Sequence, residues 1–108
     1  MWGRILLLGL IGAGLILLSL KAFAAGDARR GGEIAADQCG RCHAIGRTGT
    51  SPLAAAPPLR VIARRWPPEQ LQEAFAEGVV TGHTAMPEFR FEPGEIDDLI
   101  AYLRRLRR

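Results

Sequence analysis

This sequence of 108 residues has little of several things. It holds two cysteines, two histidines, one tyrosine and 6% aromatic residues. Large apolar residues are scarce once position matters. Of 52 apolar residues, 17 fall in residues 1–24, and 13 of the remaining 35 are alanine. Only 22 large or reactive apolar side chains are left for the other 84 positions. A domain with so thin a core is expected to need a staple: a metal, a disulfide or a cofactor. Lysine is confined to Lys21, so every cation after residue 24 is arginine. No strand alternation, internal repeat or low-complexity tract is present. Length and composition exclude a large α/β enzyme, a coiled coil and a disordered tail, and leave room for one domain. Basic and aromatic residues are not interleaved as on a single-strand-binding surface, so nucleic acid is not an expected partner.

Residues 1–24 read as an export signal. Arg4 gives a positive start, Ile5–Leu20 is an apolar run, and Ala22-Phe23-Ala24 is a small-x-small cleavage pattern. Sixteen helical residues span about 24 Å, short of a ~30 Å hydrocarbon core. The alternative is an uncleaved membrane anchor. Either way residues 25–108 are expected outside the cytoplasm, in the periplasm. Without the leader, 12 arginines stand against 11 acidic residues. The cluster Arg104-Arg105-Leu106-Arg107-Arg108 suits the end of a helix, where cations complement the dipole. Its alternative reading is a docking patch for an acidic partner.

In residues 25–108 the signals are helical. Asp27 is placed to cap a helix running to about Gln38. Residues 44–60 are rich in Gly, Ser, Thr, Pro and Ala and form a loop, with one short turn expected at Val61–Arg65. Pro67-Pro68 opens a second helix carrying Leu71, Ala74 and Phe75 and ending at Gly78. A second loop follows, over residues 79–92. Pro93 opens the last helix, whose Ile96, Leu99, Ile100 and Leu103 form an apolar stripe. The fold class is all-α, with three main helices and two long loops. Loops this long are unusual in a compact domain unless something organises them.

Cys39-Gly40-Arg41-Cys42-His43 carries the chemistry. Two cysteines three residues apart present their thiols in one direction. That spacing suits thioether bonds to the two vinyl groups of a haem, with His43 reaching the iron from the same side: the C-x-x-C-H pattern of c-type attachment. A disulfide would close a tiny loop of little entropic value. A zinc site needs four ligands, and the chain offers Cys39, Cys42, His43 and His83 alone. A redox dithiol expects a βαβ context, which is absent, and has no use for His43. Given a haem, the iron needs a sixth ligand or keeps an open site. Apart from Met1, Met86 is the one methionine, and Pro87 holds its backbone extended. Its thioether is the expected distal ligand and favours ferrous iron. His83, three residues earlier, is the alternative.

On these residues the stretch 25–108 resembles class I monohaem cytochromes c, small soluble bacterial members in particular. The resemblance covers the C-x-x-C-H helix, the Met-bearing loop Thr81–Phe89 and the closing helix with Leu99-Ile100-Ala101-Tyr102-Leu103. It implies one covalently bound haem c wrapped by the helices. It also implies that Gly31 packs against Tyr102 where the first and last helices cross. Ala35 stands where members often carry an aromatic. The family's proline carbonyl behind the proximal histidine corresponds to Pro57, with Pro58 the near alternative. Trp66 and Arg60 are candidates to bond a haem propionate. The implied function is a monomeric one-electron carrier rather than an enzyme. Its partners would be redox proteins, membrane-bound respiratory complexes among them, with no small-molecule substrate. The alternatives are a haem subunit of a dehydrogenase or oxidase complex, and a gas-binding cytochrome whose Met86 is labile.

Overall fold

The computed structural model describes residues 26–78 and 85–108. The leader (residues 1–24) and His83 lie outside the described residues. Four helices are present, and among the described residues there is no strand. They are α1 (Ala28–Gln38), α2 (Leu59–Arg65), α3 (Pro68–Glu77) and α4 (Pro93–Leu106). No helix among the described residues is long and apolar enough to cross a membrane.

Helix α1 begins where Asp27 turns its carboxylate back onto the N–H groups of Arg29 and Arg30, at 2.9 and 3.2 Å. These satisfy two of the donors that a helix start leaves without partners. The Arg30 N–H is the main cause of a carboxyl held below its usual range at Asp27. Helix α3 starts with Pro68 in its first turn and stops at Gly78, whose φ of +90° suits glycine. Helix α4 opens on Pro93 with a capping box, in which the Glu92 N–H donates to the Glu95 carboxylate at 3.0 Å.

Where one short turn is expected at Val61–Arg65, the chain forms the seven-residue helix α2, starting two residues earlier. The local signal is weak because Val61 and Ile62 are β-branched and no side chain caps the start. Tertiary burial supplies the rest: Leu59 and Ala63, four apart, share the inward face.

The buried core is small. It comprises Ala35, Leu59, Ala63, Ile96, Leu99, Ile100, Leu103 and Leu106, so α4 contributes five of its eight members. Ile45, Ile62, Leu71, Phe75 and Phe91 pack against it only partly buried. Phe75 meets Phe91 edge to face at 5.7 Å, which joins α3 to the segment entering α4. The ion pair Arg104–Glu69 and the hydrogen bond Gln72–Asp97 add polar links between the same two helices.

Helices α1 and α4 cross at glycine. A Cβ on Gly31 would lie 1.9 Å from the Asp98 carbonyl oxygen and 2.9 Å from the Tyr102 Cβ. The Tyr102 ring covers Gly32. Beside this crossing sits Asp98, the one buried charged residue among the described residues. It accepts the Asp27 N–H at 2.7 Å and lies 3.7 Å from the Arg30 guanidinium. The carboxylate that stitches α4 to the start of α1 is therefore itself paired, as burial of charge requires.

Candidate functional site

The C-x-x-C-H stretch lies at the end of α1. Cys39 caps the helix, and its N–H and that of Gly40 both donate to the Ala35 carbonyl at 2.9 Å. Cys42 and His43 then donate to the Cys39 carbonyl at 3.2 and 2.9 Å, adding one more turn. Gly40 lets this turn close: a Cβ there would lie 2.6 Å from the Ala36 carbonyl oxygen. Both cysteines are unpaired and partly buried. Cys39 packs against the core, and burial pushes its thiol up to about 11. A redox dithiol needs a thiol shifted the other way, toward the thiolate.

The loop after the motif has structure without helix or strand. The Leu53 N–H returns to the Cys42 carbonyl at 3.1 Å, and the Ala44 N–H donates to Ser51 Oγ at 3.0 Å. The Leu59 N–H donates to the Ala44 carbonyl at 2.9 Å, so α2 begins against the motif. Tyr102 on α4 donates its hydroxyl to the Ile45 carbonyl. The Arg47 guanidinium donates to the carbonyls of Arg105 and Arg108, at 2.8 and 3.0 Å, at the C-terminal end of α4.

These ties place the Pro57 carbonyl 2.5 Å from His43 Nδ1. A carbonyl only accepts, so Nδ1 is the donor, and in the neutral ring Nε2 is then the nitrogen with the lone pair. The ring is thus held in the tautomer and orientation that a metal ligand needs. Pro58, the neighbouring candidate, instead gives its carbonyl to the N–H groups of Val61 and Ile62. Arg60 sends its guanidinium to the carbonyls of Gly49 and Gly46, at 2.7 and 3.4 Å. Trp66 is 41% exposed, with the Arg65 guanidinium over its ring. Met86 is half-buried, in the segment that leads through Phe89 and Phe91 into α4. Among the described residues, no hydrogen bond ties Met86 or Trp66 to the cluster around His43, and no three His, Cys, Asp or Glu side chains converge as for a metal ion.

Residues 26–103 match the family model described as cytochrome C oxidase, cbb3-type, subunit III. The chain belongs to the c-type cytochromes. It accordingly carries covalently bound haem c and serves electron transfer. Searches of curated proteins and of solved structures each returned no match. The residues present fit the group. Two unpaired thiols three residues apart would take the thioether bonds, and Nε2 of His43 would be the ring nitrogen left for iron. Ile45, Ile62, Leu71 and Phe75, only partly covered by protein, supply apolar surface of the kind a macrocycle needs.

Sequence reasoning missed Gly40, Arg47 and Ser51 around the turn and its loop, and Asp98 at the helix crossing. The partners of Arg47 and Asp98 are 58 and 71 residues away in the chain, where no local pattern reports them. Gly40 was legible in principle, as a glycine just past a helix end.

Proposed function

We propose that this cytochrome is an exported one-electron carrier, with haem bonded through Cys39 and Cys42 and the iron held between His43 and Met86. The observation that carries this reading is the hydrogen bond from His43 Nδ1 to the Pro57 carbonyl, in a turn that also bears both thiols. The haem iron supplies the chemistry by cycling between ferric and ferrous states. The protein's part is to hold it. The cross-tied loop fixes the imidazole, and the Met86 thioether would be the second protein ligand, leaving no position for oxygen or a substrate. Such a centre suits outer-sphere transfer between redox proteins and has no need of a small-molecule substrate. Residues 1–24 act as the export leader and are removed in the periplasm, where the protein works as a monomer. Trp66, with its indole partly in solvent, is available to a haem propionate; Arg60 is engaged with the loop carbonyls.

A second reading, that the chain is a haem subunit of an oxidase complex, is favoured by the description of the matching family model. One preparation tests both. The exported protein, purified at native expression, is weighed intact and its ferric and ferrous spectra are recorded. The carrier reading expects the mass of residues 25–108 plus haem, a low-spin spectrum and no companion polypeptide. Met86→Ala should abolish the sulfur-to-iron charge-transfer band and admit CO, while His83→Ala should do neither. A high-spin spectrum in the parent protein overturns the ligand assignment. Co-elution with an oxidase favours the subunit.

A further inference from the structure

Residues 44–49 are held from two sides. On one side they meet the residues that follow Pro57. The Leu59 N–H donates to the Ala44 carbonyl at 2.9 Å, and Arg60 donates to the carbonyls of Gly46 and Gly49 at 3.4 and 2.7 Å. On the other side they meet the end of α4. Tyr102 donates its hydroxyl to the Ile45 carbonyl, and Arg47 donates to the carbonyls of Arg105 and Arg108 at 2.8 and 3.0 Å. Arg47 therefore links the strip 44–49 to the last turn of a helix about 60 positions further along the chain.

Side-chain charge does not draw Arg47 there, since Arg104, Arg105, Arg107 and Arg108 all share its sign. Main-chain oxygen does. The carbonyls of a last helical turn lack partners within the helix and carry the negative end of its dipole. A guanidinium fork on two such carbonyls sets direction as well as distance, which a point charge would not. The far end of the path is stiff. The rings of Pro57 and Pro58 each fix φ, so few torsions separate the Leu59 N–H, held on Ala44, from the Pro57 carbonyl. That carbonyl is the partner of His43 Nδ1. Where residues 44–49 go, the Pro57 oxygen follows.

We infer that Arg47 is a positioning residue for the haem iron, setting through residues 44–49 how squarely the Pro57 carbonyl meets His43 Nδ1, and with it the balance of ferric and ferrous iron. This rests on His43 as the proximal ligand and deepens that reading. A hydrogen bond at the far ring nitrogen fixes the ring and strengthens it as a donor to the metal. A stronger donor favours the ferric state, so loosening the bond favours the ferrous state. Removing a positive charge near the iron does the reverse, because ferric iron is the more positive state. Holding the loop and supplying charge thus predict shifts of opposite sign when Arg47 is lost, and a role confined to stability predicts none.

The test uses the full-chain holoprotein and three variants. Arg47→Met keeps an unbranched side chain and removes the fork. Arg47→Lys keeps the charge and a single point donor. Arg64→Met removes the charge of an exposed arginine on α2. At a fixed solution potential, Arg47→Met should raise the ferrous-to-ferric ratio about threefold, a rise of about 30 mV at 59 mV per tenfold for one electron. Arg47→Lys should fall between it and the parent, and Arg64→Met should leave the ratio alone or lower it. In the ferrous protein the His43 ring N–H, followed by proton NMR, should exchange with solvent about tenfold faster in Arg47→Met. A ratio unmoved or lowered in Arg47→Met, or a ring proton that exchanges at the parent's rate, overturns the proposal. Should Arg47→Met yield no holoprotein, Arg47→Lys decides by the same two readings. The parent's own spectrum judges the ligand reading separately: a high-spin parent sinks that reading, whereas a low-spin parent with unmoved variants sinks the role of Arg47 alone.

Discussion

Replacing Gly31 with alanine tests the helix crossing that carries the fold. The new Cβ would stand 1.9 Å from the Asp98 carbonyl oxygen and 2.5 Å from its carbon, both main-chain atoms that cannot swing aside. To reach ordinary contact, α1 and α4 must part by about 1.5 Å. Overpacking of this kind costs about 1–3 kcal/mol. The same movement stretches the 2.7 Å bond from the Asp27 N–H to the Asp98 carboxylate. A hydrogen bond to a charged group contributes about 1.5–3 kcal/mol. Against this, alanine is favoured over glycine in a helix by about 1 kcal/mol. The net loss is about 2–4 kcal/mol, a large share of a total that is about 5–15 kcal/mol for a domain. Thermal unfolding of the holoprotein, followed by far-ultraviolet circular dichroism, should show Tm lowered by about 10–25 °C. Gly94→Ala is the control, since a Cβ there meets nothing within 4 Å; it should be neutral or slightly stabilising. If Gly31→Ala melted with the parent protein, or the two variants fell together, the close approach of α1 and α4 would not be what holds the domain.

Three further outcomes follow from the same geometry. Tyr102→Phe removes the donor to the Ile45 carbonyl, and should cost about 1 kcal/mol in denaturant unfolding while leaving the α1–α4 packing intact. Gly40→Ala presses a methyl group onto the Ala36 carbonyl oxygen. It should lower the yield of covalently bound haem, measured as the fraction of polypeptide carrying the added mass, because the turn bearing both thiols no longer closes. Stability should also depend on pH in the acid range. The carboxyls of Asp27 and Glu69 are held below their ordinary values of 3.8 and 4.5. The Arg30 N–H is the main cause at Asp27; at Glu69 it is the residue's own N–H, and then Arg104. Groups depressed in the folded state contribute stability above the unfolded value and lose it as pH falls through the folded value. A urea midpoint measured from about pH 5 down to about pH 2 should therefore decline, and less steeply in Asp27→Asn; equal slopes in the two proteins would count against the Asp27 cap.

Local chemistry made much of this fold readable. Asp27, Pro68, Gly78 and Pro93 each satisfy or terminate a helix end through their own backbone needs, and the observed helices begin or end beside them. The apolar stripe of α4 is the core because its spacing leaves it no other face to bury. Helix α2 was under-read because seven residues with two β-branched members give little local signal; its inward Leu59 and Ala63 are held by neighbours distant in sequence. The motif Cys39–His43 stood out, but the arrangement that turns His43 did not. It depends on Ser51, Arg47 and Tyr102 bonding main-chain atoms across the loop, and such bonds leave no periodic trace. Asp98 was hidden for a related reason. It lies off the apolar stripe, and its value comes from the Asp27 N–H some 71 positions away.

The partner that fixes the His43 ring is a main-chain oxygen. No substitution at position 57 can delete it, since every amino acid brings a carbonyl of its own. The contact is lost only when the loop shifts, so the imidazole's orientation answers to distant anchors such as Arg47 and Ser51 more than to the identity of its immediate neighbour. An engineer seeking to retune the iron should therefore alter where residues 44–58 are pinned, and leave the proline alone.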